Sequence, residues 1–325
     1  MSLIVLVSLL SVATAQLVPS DKGNLIDVKF PIGKDLVDFI NSKATTFKIF
    51  VNSLVLFRQL PSKQQYSKNN NRPKAPQLTS AVSIPTSFDV RTKWPKCNGT
   101  FNAIPNQASC GSCWAVSTAS VIQDRRCILY NGTAKLPISS WDIVSCCFNC
   151  TPSDNGCNGG YVYKAFDWFD TVGIVTGGQY GGCKPYEVAP GQSPPANRTC
   201  KKSCQASYTS PTYPNDKKKG GYNKIFYNNT AAAQAEILAN GSIVAQFDVY
   251  YDFYNYKSGI YQHVSGNYVG GHALIGWGVD NGTQYWLAAN SWGVDWGDKG
   301  FFKIRRGNNE CNFEKWSFAG NVLKD

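Results

Sequence analysis

Histidine is scarce in this sequence, which contains only His263 and His272 among 325 residues. A reaction that needs an imidazole as general base must therefore use one of these two side chains. Long apolar runs are also absent: no stretch reaches about 18 apolar residues, so the sequence offers no transmembrane helix. No internal repeat occurs. The length allows about two domains or compact lobes, and the 43% of hydrophobic residues can form a sizeable core.

Cysteine is missing from residues 16–82, whereas the rest of the chain contains all twelve cysteines. Residues 62–76 are polar, with three consecutive asparagines and two prolines, and are typical of a flexible, cleavable linker. We therefore predict a prosegment over residues 16–82 and a mature body over residues 83–325, with cleavage between about Thr79 and Ile84. The alternative is a small N-terminal domain that stays attached. The clustered cysteines predict several disulfides and an oxidising compartment.

The N-terminus has the pattern of a secretory signal peptide. An apolar core from Leu3 to Leu10 precedes Ala13-Thr14-Ala15, a small-residue pattern that predicts a signal peptide over residues 1–15. No lysine or arginine precedes this core, and the alternative is a short buried segment. Asn-x-Ser/Thr acceptors for glycosylation occur at Asn98, Asn131, Asn149, Asn197, Asn228, Asn240 and Asn281. We expect the secretory pathway, ending in a lysosome-like vesicle or outside the cell.

The net charge of +11 raises the question of a nucleic-acid partner. Residues 16–83 contain ten basic and four acidic residues, so more than half of the excess lies in the predicted prosegment. The one triple basic run, Lys217-Lys218-Lys219, is typical of a solvated loop. We therefore predict no nucleic-acid partner.

The stretch Cys110-Gly111-Ser112-Cys113-Trp114 opens a helix-compatible run that continues to Tyr130. A thiol at a helix start lies beside free backbone N–H groups, which lower its pKa and favour the nucleophilic thiolate. This position predicts Cys113 as a nucleophile. Two other interpretations are a redox pair with Cys110, although no βαβ pattern surrounds it, and a zinc site in the Cys146–Cys157 cluster, which has no histidine and no tetrad spacing.

His272 has the sequence context of a catalytic base. It follows Gly270-Gly271, which allow close approach of a substrate, and it precedes a strand-like run that can fix the ring. His263 lacks this context, so we predict a packed or surface histidine there. Asn290 can orient the imidazole without adding a charge, and the neighbouring Trp292 can shield that hydrogen bond from water.

Helix-like patterns lie early in the chain and strand-like patterns lie late, which predicts an α+β protein with two lobes. Leu36, Phe39 and Ile40 have the spacing of one helical face, and residues 231–238 are a second short helix candidate. Strands are predicted over residues 243–251, 273–279, 285–289 and 300–305.

These motifs together resemble the papain-like cysteine proteases, specifically the cathepsin B type. The resemblance extends from about Leu36 to Ala319. It is carried by Gln107 to Trp114, Cys146-Cys147, Gly156 to Gly160, Cys183 to Tyr186, Tyr256 to Val264, Gly270 to His272 and Asn290 to Trp292. The resemblance implies a papain-like fold, with a helical lobe, a β-barrel-like lobe and an active-site cleft between them.

The resemblance also implies a role for each site residue. Cys113 attacks the scissile carbonyl, His272 transfers the proton and Asn290 orients it. The Gln107 side chain and the Cys113 N–H form the oxyanion hole, and the backbone of Gly159 and Gly160 pairs with the substrate. The implied disulfides are Cys97–Cys127, Cys110–Cys157, Cys146–Cys200, Cys147–Cys150 and Cys183–Cys204.

Three departures from the cathepsin B pattern are visible. The stretch Tyr186–Thr199 replaces the loop whose paired histidines bind a substrate's C-terminal carboxylate, and it contains no histidine. Trp316 occupies the position of an acidic residue at the base of the specificity pocket, so we expect apolar or aromatic side chains there rather than arginine. The run from His272 to Gly276 is shorter by two residues, which preserves the facing of a strand.

We therefore expect a cysteine protease made as a secreted zymogen and acting mainly as an endopeptidase on polypeptide substrates. The alternatives are a catalytically silent papain-fold binding protein, a peptidyl-dipeptidase of the cathepsin B type and a disulfide-rich adhesion module. We expect a monomer that its own prosegment inhibits, with no cofactor and no metal.

Overall fold

A computed structural model of the protein describes residues 33–50, 83–134, 136–153, 155–265, 268–270 and 275–325. The predicted signal peptide, the predicted linker and His272 lie outside the described residues. The α-helices are α1 Gly33–Lys43, α2 Val90–Lys93, α3 Asn98–Phe101, α4 Cys113–Leu129, α5 Ser140–Cys146, α6 Val162–Thr171 and α7 Thr230–Asn240. The strands are β1 Phe47–Ile49, β2 Phe88–Asp89, β3 Gly220–Tyr227, β4 Val244–Gln246, β5 Val249–Tyr250, β6 Tyr256–Tyr261, β7 Tyr268–Gly270, β8 Gly276–Asp280, β9 Thr283–Ala289, β10 Phe301–Arg305 and β11 Trp316–Val322.

The helical lobe is built around α4, most of whose side chains are buried. A helix that is buried on nearly all faces belongs to the centre of a core. The hydroxyls of Ser117 and Thr118 make this burial tolerable because each donates to the carbonyl four residues earlier, at 2.7 Å. The core around α4 includes Trp114, Ile122, Trp141, Phe166 and Phe169.

The second lobe contains the main sheet, in the strand order β1-β6-β10-β9-β8-β2. β10 and β6 are parallel, and the other neighbours are antiparallel. Its core is strongly aromatic, with rings of Phe253, Tyr256, Trp277, Trp286 and Phe302 fully buried. A three-stranded sheet of β3, β11 and β4 contributes to both cores. The predicted two-lobed α+β fold is confirmed, and nine of the eleven strands in the described residues lie from Gly220 onward.

The residues of the predicted prosegment that the structure describes pack against the sheet lobe. β1 pairs antiparallel with β6, and the Asn41 amide bonds both backbone groups of Ile49, at 2.9 and 3.0 Å. One detail of the predicted helical face is wrong: Leu36 and Ile40 are buried, but Val37 joins them and Phe39 is 42% exposed. The helix presents Leu36, Val37 and Ile40 to the core because β1, which follows the helix, fixes the side that packs there.

The disulfides of the structure are the five pairs that the resemblance implies, and they all lie between residues 97 and 204. Cys113 and Cys311 are unbridged and buried. None of the helices described is long and apolar enough to cross a membrane.

Candidate active site

Cys113 is the first residue of α4 and is buried in the cleft region between the lobes. Burial raises the pKa of this thiol to about 12, whereas the backbone N–H groups of Trp114 and Cys113 and the Gln107 side chain oppose the rise. The helix start lowers the pKa as expected, through these N–H groups, but burial outweighs that effect. A thiolate at this position needs a further positive charge beside it.

Gln107 presents its amide nitrogen to the same thiol. The Ser291 hydroxyl donates to Gln107 Oε1 at 2.5 Å, which fixes the orientation of the amide. Its Nε2 then donates to the Cys110 carbonyl at 2.8 Å, and the Gln107 side chain lowers the pKa of the Cys113 thiol. The backbone reinforces this arrangement because the Gln107 N–H donates to the Ser291 carbonyl at 2.8 Å. The amide is thus a preorganised donor at the predicted nucleophile.

The loop before α4 is held in place by Tyr186. Its hydroxyl donates to the Gln107 carbonyl at 2.9 Å and lies 2.6 Å from the Ser112 hydroxyl. Since the single hydrogen of Tyr186 serves Gln107, Ser112 is the donor in the second contact. Sequence reasoning missed Tyr186 and Ser291 as supports, although Ser291 stands inside the Asn290-Ser291-Trp292 motif.

The glycine loop after Cys157 is attached to the start of α4. The Gly111 N–H donates to the Cys157 carbonyl at 2.7 Å, and the Gly159 N–H donates to the Gly111 carbonyl at 3.0 Å. A Cβ at Gly160 would lie 2.3 Å from the Trp114 ring, so this close approach requires glycine. Gly159 therefore uses its N–H inside the protein, and Gly160 lies against the nucleophile's helix.

Asn290 and Trp292 lie on the opposite lobe. Asn290 is 5% exposed, and its Oδ1 accepts from the Ser291 N–H at 2.8 Å. Its Nδ2 has no hydrogen-bond partner among the residues described. The Trp292 ring stacks on Tyr254, with centroids 5.2 Å apart, and meets Trp296 edge-on at 5.0 Å.

His272 lies outside the described residues, between β7 and β8, so its distances to Cys113 and Asn290 are not part of this geometry. His263 is accounted for differently. Its ring stacks on Tyr250 with centroids 3.8 Å apart, and its Nδ1 lies 3.4 Å from the buried carboxylate of Asp252. This is the packed histidine that the sequence predicts. No cluster of three or more potential metal ligands occurs in the part of the chain that the structure describes.

Comparison with known proteins identifies the family. The pattern of the papain family cysteine protease matches residues 84–320. The chain belongs to the papain family of cysteine proteases. A gut-specific cysteine proteinase of Caenorhabditis elegans is 43% identical over 300 residues, which are 89% of this chain and 90% of that protein. The cathepsin B-like cysteine proteinase 1 of Ostertagia ostertagi is 39% identical over 314 residues, again 89% and 90% of the two chains.

Solved structures agree with this assignment. Procathepsin B S9 from Trypanosoma congolense is 33% identical and gives a TM-score of 0.79, covering 90% of this chain and 99% of that chain. A digestive procathepsin L2 proteinase from the larval midgut of Tenebrio molitor is 25% identical, with a TM-score of 0.66 over 88% of this chain and 87% of that chain. The protein is a cathepsin B-like cysteine protease, and both of these structural relatives are procathepsins.

In this papain-family protease, Trp316 is half-buried at the start of β11 and lies against Tyr227, with ring centroids 4.3 Å apart. The nearby Glu314 is fully engaged elsewhere. Its carboxylate accepts from Trp286 Nε1 at 3.1 Å and from the N–H groups of Gly307 and Asn309 at 2.9 and 2.7 Å. Glu314 therefore closes a local loop.

The stretch Tyr186–Thr199 is mostly exposed. Near its end, the Arg198 guanidinium donates to the carbonyls of Val144, Cys147 and Phe148 at 3.1 to 3.4 Å, around the end of α5. Lys201 makes only a long, exposed ion pair with Glu187, at 3.9 Å. The Arg198 side chain thus serves the helical lobe.

Proposed function

We propose that this protease is mainly an endopeptidase that cleaves polypeptides through Cys113, His272 and Asn290, with an oxyanion hole made by the Gln107 side chain and the Cys113 N–H. The observation that supports it most directly is the fixed orientation of the Gln107 amide, which accepts from Ser291, donates to the Cys110 carbonyl and lowers the pKa of the Cys113 thiol. One donor of this kind is worth about 3–4 kcal/mol in the transition state.

The proposed reaction has two halves. The His272 imidazolium stabilises the Cys113 thiolate, which compensates for the burial that raises the thiol pKa. The thiolate sulfur forms a bond to the scissile carbonyl carbon, and the carbonyl oxygen takes the negative charge facing Gln107. His272 then protonates the leaving amine as the C–N bond breaks. In the second half, His272 accepts a proton from water, the hydroxyl attacks the acyl carbon, and the C–S bond breaks to restore the thiolate.

Gly160, together with the cleft aromatics Trp292 and Trp316, is proposed to hold the extended substrate. Gly159 is less suited to pairing with a substrate because its N–H already donates to Gly111. Trp316 favours an apolar or aromatic substrate residue, since Glu314 has its carboxylate occupied by three donors.

Alkylation tests the nucleophile. The processed enzyme is treated briefly with iodoacetamide and the labelled cysteine is mapped. Cys113 should label rapidly, and His272→Ala should abolish this. Cys311 is the internal control, because burial and nearby carboxylates raise its pKa far above the ordinary range. Labelling of Cys113 no faster than an ordinary exposed thiol would favour a silent binding protein instead.

Internally quenched peptides with free or amidated C-termini test the mode of cleavage. An endopeptidase with an open primed side, meaning the leaving-group side of the cleft, should cleave both forms at similar rates. A strong preference for the free carboxylate would indicate a peptidyl-dipeptidase. We further propose that the prosegment inhibits the enzyme until it is removed, that the enzyme acts as a monomer, and that it works in a lysosome-like vesicle or outside the cell.

A further inference from the structure

A pocket of about 460 Å³ lies alongside α4, outside the catalytic residues described above. It extends from Val116 to Cys127, which is about 16 Å of helix at about 1.5 Å per residue. Its volume falls within the range of about 300–1,000 Å³ that is usual for pockets that bind small molecules. Its lining includes Asn106 and Tyr186, which flank the site loop in sequence or bond to it.

The walls of this α4 pocket are mostly apolar. They include Ile104 and Pro105 from the loop after α3, Val116 and Ala119 from α4, and Pro137 and Ile138 from the segment before α5. Such walls suit an aliphatic or aromatic body, and any polar group of a ligand must be placed where the lining offers a partner.

The polar residues that α4 contributes to the lining lie on one face of the helix and offer acceptors. Ser120, Gln123 and Asp124 have the spacing that places them side by side on a helix. The Ser120 hydroxyl uses its hydrogen on the Val116 carbonyl at 3.0 Å. Gln123 is 7% exposed, its Nε2 donates to the Ala134 carbonyl at 3.1 Å, and its Oε1 has no hydrogen-bond partner among the described residues.

Asp124 adds a carboxyl group, 6% exposed, whose Oδ2 accepts from the Ser242 hydroxyl at 2.5 Å. Burial raises its pKa to about 7, against the effects of that hydrogen bond and of Arg125. Arg125 does not neutralise it fully, because its guanidinium pairs with Glu236 at 2.8 Å. On the facing wall, the remaining charged group is Lys96, which is exposed.

We propose that the α4 pocket binds an organic cation, an ammonium or guanidinium group on an apolar stem, with the charged end on Asp124. The Asp124 carboxyl lies in the pocket lining beside a neutral donor, the Ser242 hydroxyl, and a cationic ligand rich in N–H donors supplies the positive charge that an ionised carboxylate there needs. The same chemistry is present in a free amine and in a lysine side chain of a polypeptide, so the experiment separates these two sources.

Calorimetric titration of the full chain measures binding directly. The chain carries Cys113→Ala, which prevents self-cleavage and makes the test independent of the proposed activity. The probes are phenethylamine, its neutral analogue phenethyl alcohol, and a short blocked peptide with one lysine. We expect phenethylamine to bind at least about tenfold more tightly than the alcohol. Binding of the peptide as well as the amine identifies a polypeptide source, and binding of the amine alone identifies a free amine.

Three variants decide whether the binding occurs in this pocket. Asp124→Asn keeps the shape and removes the charge, and Ala103→Phe fills the exposed rim without entering the core. Both should weaken phenethylamine binding at least about tenfold. The control is Asp280→Asn, which changes an exposed carboxylate at the end of β8 that pairs with Lys303 of β10, and it should leave the affinity unchanged. Asp124 must be ionised to attract the cation. The affinity of the wild-type chain for phenethylamine should therefore rise from about pH 5.5 to about pH 8, whereas the affinity of Asp124→Asn should not. Unchanged affinity in both pocket variants, equal binding of alcohol and amine, or no binding at all would overturn the proposal.

Discussion

The Ser291 hydroxyl and the Gln107 amide oxygen, 2.5 Å apart, join the lobe of the main sheet to the loop in front of the nucleophile. This contact decides which end of the amide faces Cys113. If the amide rotated, its oxygen would face the developing oxyanion and would repel it.

Ser291→Ala should therefore lower kcat about 5- to 30-fold, corresponding to about 1–2 kcal/mol for one lost hydrogen bond. KM should change little, because the ground-state contacts of the substrate remain. Steady-state kinetics on a peptide substrate give both numbers. Thr171→Ala, which removes an exposed hydroxyl bonded only within α6, is the control, and a KM effect without a kcat effect would contradict this role of Ser291.

Trp316→Glu should move the substrate preference towards arginine at the pocket position. An exposed or half-exposed carboxylate attracts a guanidinium, and the bidentate pair is favourable. A peptide library compared before and after the change measures this. Glu314→Gln serves as the matched control: it should leave the preference unaltered and destabilise the Gly307–Asn309 turn, since its three donors lose a charged acceptor.

Asn41→Ala should speed activation of the zymogen. The Asn41 amide makes two hydrogen bonds to the Ile49 backbone and so joins α1 to β1. Losing two bonds at about 1 kcal/mol each should raise the activation rate about tenfold or more, measured by the appearance of activity after dilution into acid. Ser42→Ala, whose hydroxyl bonds only the Phe39 carbonyl in the same helix, should activate at the wild-type rate.

Asp124→Asn should stabilise the protein at neutral pH. The folded pKa of Asp124 is raised from 3.8 to about 7, so the folded state holds a proton that the unfolded state has lost. Stability therefore falls as the pH rises from about 4 to about 7. The variant should be more stable at about pH 7.5, by on the order of 2–4 kcal/mol, and nearly equal at about pH 4. Denaturant unfolding at both pH values measures this.

Asp142 is a useful contrast, because its buried carboxylate lies between Lys184 and Lys217, at 3.2 and 2.8 Å. Asp142→Asn should be destabilising by about 3–5 kcal/mol, since it leaves buried cations without their partner. A similar response of both variants to pH would contradict the assignment of the pH effect to Asp124.

The sequence allowed the fold and the nucleophile's helix to be predicted, because apolar periodicity and the Cys110–Trp114 motif are local signals. It did not reveal Tyr186 as a support, because the Tyr186–Gln107 contact joins positions 79 residues apart. The lowering of the Cys113 pKa by the helix start could be predicted, but the larger, opposing effect of burial could not, since a helix start is visible in a sequence and the degree of burial is not. Phe39 was misplaced for a related reason: the helical period shows which residues share a face, and β1 selects the face.

The disulfides are distributed unevenly between the two lobes. All five lie between residues 97 and 204, whereas the sheet lobe is held by aromatic packing such as that of Phe253, Phe302 and Trp296. Cys97–Cys127 borders the core of the sheet lobe, but the other four bridges lie outside that core. A reducing environment therefore acts mainly on the half of the catalytic apparatus that carries the nucleophile. Leakage of the enzyme into such an environment would limit its working lifetime, even while the other half stayed folded.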